Sequence, residues 1–244
     1  MSNKVAQGIK VRESNSLLKS LVALLLIVGC IWAAQWQFNR GVDRHARNAV
    51  ITSHTSMQPV ALSTVSKNPA EHEWQIVTVS GRFDPTDQIL LRNRYFEGVY
   101  GFQLLTRFAS VDSGSFWVDC GWVKAGDTAT EAPELPKITT ELITISARLR
   151  LDTSLPRGAF FAIPQSGEGL ISKANAQSGS ADEPFYLDLM DPKPLDGVKF
   201  IPAQLPELSD GPHMAYALQW VFFGGLVVYG RILIRRDVLS RKEL

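Results

Sequence analysis

The stretch Leu21–Trp36, LVALLLIVGCIWAAQW, decides the architecture of this chain. With Leu17 and Leu18 before it, the apolar run is interrupted only by Lys19, Ser20 and Gln35. As a helix it covers the roughly 30 Å of a bilayer's hydrocarbon core. Lys19 can carry its ammonium to the near interface, and Trp32 and Trp36 suit the far one. A cleaved signal peptide would share the basic start (Lys4, Lys10, Arg12) and the apolar core. Its cleavage point would fall at Ala33–Ala34, where Trp32 and Trp36 crowd a site that needs small residues. Residues 17–36 therefore read as an uncleaved transmembrane helix.

A second run, Met214–Ile234 (MAYALQWVFFGGLVVYGRILI), has Gln219 and Arg231 as its strongly polar members. Core helices rarely stay apolar all round for five turns, so residues 213–234 read as a second span. Tyr216 and Trp220 near one end and Tyr229 near the other fit an aromatic belt. The first 20 residues carry Lys4, Lys10, Arg12 and Lys19, and Arg231, Arg235, Arg236, Arg241 and Lys242 crowd the end of the second span. Both tails, 1–16 and 235–244, are expected in the cytoplasm. Arg40, Arg44 and Arg47 argue the other way, but long loops translocate largely regardless of charge. Residues 37–212 are therefore expected outside. No transit-peptide pattern precedes Leu17, which favours a bacterial plasma membrane and a periplasmic domain.

Within residues 37–212, Phe38, Val42 and Ala46 recur on one side and extend the first helix outward. From Trp74 the period changes. Trp74–Val79, Gln88–Leu91, Tyr100–Phe108, Phe116–Val123, Leu142–Leu151 and Phe185–Met190 read as strands, with a hairpin turn at Asp112–Ser115. Ile143, Ile145, Ala147 and Leu149 alternate with Thr144, Ser146, Arg148 and Arg150, a half-buried antiparallel pattern. Ser166–Asp182 reads as a loop or a weak helix, and Pro192–Pro212 as a Pro-rich lead-in to the second span. The expected class is an α+β membrane protein in which two transmembrane helices flank one β-rich antiparallel sheet or barrel. A formal charge of +1 gives no support for nucleic-acid binding. The cysteines, Cys30 and Cys120, form no CxxC pair. No P-loop, dinucleotide fingerprint or nucleophile elbow is present, so the chain does not read as an enzyme.

Five stretches in order carry a resemblance. They are Trp36-Gln37-x-x-Arg40 with Arg44 beyond it; Val77-Thr-Val-Ser-Gly81-Arg-Phe83; Ile89-Leu-Leu-Arg-Asn93-Arg94 followed by Gly98-x-x-Gly101; Trp117-Val-Asp-Cys-Gly121-Trp122-Val123; and His213-x-x-Tyr216-Ala-x-x-Trp220. Together with the two-span frame, they resemble the Surfeit locus protein 1 family of cytochrome oxidase assembly factors. Cys120 stands where family members usually carry Arg, and Gly211-Pro212 replaces an Asn-Asn pair. The resemblance implies an assembly factor for haem–copper cytochrome c oxidase, assisting delivery of haem a to the catalytic subunit or its insertion there. Its implied partners are oxidase subunit I, haem a synthase and membrane lipid. An alternative remains open: a membrane-anchored protein-binding chaperone for oxidase subunits, with no cofactor of its own.

Beside that resemblance, His213, Tyr216, Trp220 and Phe223 share one helical face. This sets an imidazole, as candidate ligand to haem iron, above an aromatic wall. The same residues also read as an interfacial helix start with belt aromatics. Arg40 and Arg44, one turn apart, can meet haem propionates or lipid phosphates. His45 is a more distant second ligand, and His54 and His72 read as solvated loop residues. Arg92, Asn93 and Arg94 form a second cationic spot, with Asn93 as a turn cap. Gly29-x-x-x-Ala33 and Gly224-Gly225 allow the spans to pack together, or against an oxidase subunit.

Overall fold

The computed structural model describes residues 13–126, 133–151, 183–191, 193–197 and 200–240. The chain packs as two units, Met1–Ala49 with Leu208–Leu244, and Val50–Glu207.

The first unit is a helix pair. Helix α1 runs Ser16–Ser56, through the first apolar stretch and its predicted extension and several residues beyond. It buries one narrow stripe. Ala23, Ile27, Cys30, Ala34, Gln37, Gly41, Arg44 and Asn48 are its more buried positions, at alternating steps of four and three. That is the seam of a left-handed helix pair. The returning helix, which closes the described chain at His213–Ser240, answers with His213, Ala217, Gly224, Val227 and Arg231. Small residues let the backbones approach. A Cβ on Gly224 would lie 3.5 Å from that of Cys30, and one on Gly41 would lie 3.2 Å from Met214 Cε. Gly29 has open space around it, so the predicted Gly29-x-x-x-Ala33 contact is displaced by one residue to Cys30. The polar member of the second apolar run is also matched. Arg231 donates to both carboxylate oxygens of Glu13, at 3.1 and 3.0 Å, and to Ser20 Oγ. The remaining faces of both helices expose Leu, Ile, Val, Phe and Trp. By length and composition both helices can cross a membrane.

The second unit is a barrel. Strand β1 (Val60–Ala61) and the one-turn α2 (Leu62–Val65) lead through a 3-10 turn at Pro69–His72 into β2 (Ile76–Phe96). Then come β3 (Val99–Ser110), β4 (Ser115–Lys124), β5 (Lys137–Ile138), β6 (Ile143–Leu151), β7 (Phe185–Leu189), β8 (Leu195–Asp196) and β9 (Phe200–Ile201). The returning helix is α3. The pairs β2–β3, β3–β4, β4–β7, β7–β6 and β6–β2 close a circuit of five strands. This is the Greek-key barrel architecture of OB-type domains. The expected antiparallel arrangement needs a correction, because β4–β7 and β1–β2 are parallel. The connection from β4 to β7 passes through β6, so β7 enters beside β4 running the same way.

Alternate residues fill the interior: Val77, Val79 and Phe83; Phe116, Val118 and Cys120; Ile145, Ala147 and Leu149; Phe185, Leu187 and Leu189. Leu62 and Val65 of α2 join the same core. Two predicted strands, Trp74–Val79 from Ile76 onward and Gln88–Leu91, are parts of the single long β2, while Trp74 and Gln75 lie in the turn before it. Its register against β3 slips between Asp84 and Gln88, around Pro85, and again between Leu91 and Arg94. A bulge absorbs a proline that a regular ladder would not tolerate. Arg92–Arg94 therefore sit at a strand bulge rather than a turn; the side chains of Arg92 and Asn93 lie outside the described residues. So does the predicted loop or weak helix at 166–182. In the described part of the proline-rich 192–212 segment, β8 and β9 form. His54, in the last turn of α1, donates from Nδ1 to the Glu73 carbonyl at 2.6 Å, and His72 lies 2.9 Å from Gln75 Oε1. Both are half-buried and partnered, which corrects their reading as solvated loop residues.

Candidate functional site

At the end of the helix pair where α3 begins, His213 sits half-buried on the seam. Its Nδ1 lies 2.9 Å from Oε1 of Gln37 on α1. With the amide oxygen accepting, Nδ1 carries the hydrogen, so the neutral ring would have its lone pair on Nε2. Metal-binding imidazoles are oriented in this way by a partner on the other ring nitrogen. Tyr216, Trp220 and Phe223 are all partly exposed, with the Trp220 and Phe223 rings edge-to-face at 5.8 Å. The imidazole and an open aromatic wall are thus brought together on α3.

The predicted cations have partners of their own. Arg44 donates from Nε to the Ser209 carbonyl, and Arg40 sits 5.3 Å from the centre of the Trp36 ring. Beside them His45 Nδ1 donates to Asp210 at 2.8 Å, and Asn48 donates to the other Asp210 oxygen at 3.0 Å. Those bonds, His45 first, hold the Asp210 carboxyl below the usual aspartate range. Arg44, His45 and Asn48 therefore tie α1 to the segment leading into α3. His213, Tyr216 and Trp220 thus offer a partnered imidazole beside exposed aromatic rings. Among the described residues no group of three or more His, Cys, Asp or Glu is arranged around a metal ion.

A second cluster lies on the outer face of the barrel wall, and sequence reasoning missed it. Asp119 of β4 and Asp188 of β7 are in register on parallel strands, 6% and 1% exposed. Arg150 Nη1 donates to Asp188 at 2.8 Å, and Arg148 Nε lies 3.3 Å from the same oxygen. Arg148 also donates to the Ala203 carbonyl at 2.7 Å. The Arg150 guanidinium stacks 3.5 Å from the ring centre of Trp74. Trp74 itself has φ of 76°, a left-handed conformation that is costly for a bulky residue. Gln103 Nε2 lies 2.7 Å from both oxygens of Asp119, and the Gly121 N–H donates to Oδ1 at 2.8 Å. Gly121 has φ of 114°, and a Cβ there would lie 2.4 Å from the Ile201 carbonyl. Only glycine lets the β9 strap cross so close. Burial first, then the Asp188 charge, pushes the Asp119 carboxyl up to about 7. Burial also pushes the neighbouring Cys120 thiol up to about 12, which makes it an inert core residue.

In chain order a long apolar helix precedes the closed five-stranded barrel and another follows it, which defines a helix-flanked Greek-key barrel protein. The chain belongs to the SURF1 family, whose profile matches residues 24–225, from within α1 through the barrel and into the first half of α3. An uncharacterized SURF1-like protein of Mycobacterium bovis is 28% identical over 222 residues, which cover 83% of this chain and 79% of the relative. SURF1-like proteins of two Mycobacterium tuberculosis strains match to the same extent.

Proposed function

We propose that α1 and α3 cross a bacterial plasma membrane, with both termini in the cytoplasm and the barrel on the periplasmic side. The exposed apolar faces of both helices support this, since burial in lipid removes that surface from water. The limits 17–36 and 213–234 mark where the spans enter and leave the bilayer. The chain then acts as an assembly factor for haem–copper cytochrome c oxidase, the role for which the SURF1 family is known.

Within that role the chain receives haem a as cargo and presents it to the catalytic subunit, with haem a synthase as the donor. It is a carrier and docking partner rather than a catalyst. The contact between His213 and Gln37 carries this reading. It orients the imidazole so that Nε2, in the neutral ring, would serve as a ligand to the haem iron at the edge of the apolar zone. Tyr216 and Trp220 would lie along the macrocycle, and Arg40 and Arg44 would face its propionates or lipid phosphates, exchanging their present partners.

Deleting the gene tests the general role. The oxidase haem a absorbance should fall while the oxidase subunit polypeptides remain in the membrane. Equal haem a absorbance in the deletion strain would reject the assignment.

A further inference from the structure

The barrel wall holds a second site, independent of His213. A cavity of about 260 Å³ opens on the outer face of β3, β4 and β7, under residues 201–204. It is smaller than the roughly 300–1,000 Å³ of drug-sized sites, so it suits one side chain or a small amine. Its charges are unevenly matched. Asp188 has two cations, Arg150 and Arg148. Asp119 has none within ion-pair distance among the described residues; its close partners are the Gln103 amide and the Gly121 N–H, both neutral. Arg94 lines the same cavity and acts on Asp119 only as a more distant charge. The other walls are the rings of Tyr95, Phe96, Trp122 and Tyr186. Ring faces attract cations, as the stacking of Arg150 on Trp74 shows within this same wall. Of the cations near the cavity, Arg150 and Arg148 are already committed to Asp188, whereas the Asp119 carboxylate has no cation at contact distance among the described residues.

We propose that this cavity binds a guanidinium or alkylammonium group, the size of an arginine or lysine side chain, seated against Asp119 between aromatic rings. The groups facing Asp119 are Gln103 of β3, Arg94 of β2 and Asp188 of β7. Arg150 and Arg148 of β6 stand behind Asp188. A bound cation replaces the proton that Asp119 holds near neutrality, so binding releases a proton. With the carboxyl titrating at about 7, affinity rises about tenfold from pH 6 to pH 8.

The test is calorimetric titration of the full chain in detergent micelles at both pH values, in two buffers of different ionisation enthalpy. The probes are butylguanidinium and N-acetyl-arginine amide; the tighter of the two tells whether the natural cation is free or peptide-borne. N-acetyl-citrulline amide, similar in shape but uncharged, should not bind. Asp119→Asn should abolish binding. Tyr95→Ala, at a side chain 67% exposed and outside the core, should keep the fold and weaken binding roughly two- to fivefold. Three results would overturn the proposal: equal binding of the citrulline probe, unchanged binding by folded Asp119→Asn, or preferential binding of N-acetyl-glutamate amide.

Discussion

His213 of α3 and Gln37 of α1 meet at 2.9 Å across the helix seam, although 176 positions separate them in the chain. The contact fixes which imidazole nitrogen can serve as a ligand. Gln37→Leu removes the acceptor while keeping much of the volume. The haem a that co-purifies should fall by about 10- to 100-fold in affinity, the usual cost of losing a ligand's hydrogen-bond partner. Absorbance spectra of the variant purified from cells that make haem a would measure this.

The seam gives a register prediction. A Cβ on Gly224 would sit 3.5 Å from the Cβ of Cys30, within the range that a disulfide requires. Gly224→Cys should therefore cross-link to Cys30 under mild oxidation, seen as a shift in gel mobility that reductant reverses. Gly225→Cys, one position round the helix and in open space, should not. Cross-linking by the second variant alone would place the seam one residue away.

The buried ion pairs of the barrel wall predict a large loss on truncation. Asp188→Ala leaves Arg148 buried without a carboxylate and Arg150 with only Glu73, 4.0 Å from its Nε. Breaking such a network by removing one partner costs about 3–5 kcal/mol. Chemical denaturation of the full chain in micelles should show the barrel transition move to markedly lower denaturant.

The raised Asp119 carboxyl makes stability depend on pH. The unfolded chain gives up this proton near the ordinary 3.8, and the folded barrel keeps it until about 7. Between those values the folded state binds more protons. Its contribution to stability is complete below about 4 and is lost as pH rises through 7. The barrel's melting temperature should therefore fall from pH 4.5 to pH 7.5, and Asp119→Asn should flatten that slope. The same slope in the variant would show that another group titrates.

Much of the frame was legible in the sequence. Leu21–Trp36 and Met214–Ile234 are too long and too evenly apolar for core helices, and Ile143–Leu149 alternates cleanly onto the interior face of β6. The continuity of β2 was not legible, because Gly81 and Pro85 look like breaks and only the pairing with β3 shows a bulge. Nor was the parallel β4–β7 pair, since periodicity says nothing about which distant strands meet. The Asp119–Asp188 cluster was hidden for a related reason. Arg148 and Arg150 read as the solvent side of an alternating strand, and the segment that covers them, residues 200–204, lies 50 positions further on. The one local signal was an aspartate in each of two otherwise apolar strands, Trp117-Val-Asp119 and Tyr186-Leu-Asp188.

The proposed haem role rests on His213, and His213→Ala tests it most directly. The wild-type chain and the variant are purified from membranes of cells that make haem a, with equal insertion confirmed by carbonate extraction. The wild type should carry haem a absorbance, and the variant should lose most of it while staying in the membrane. A variant that holds as much haem a as the wild type, or a wild type that carries none, would contradict the account.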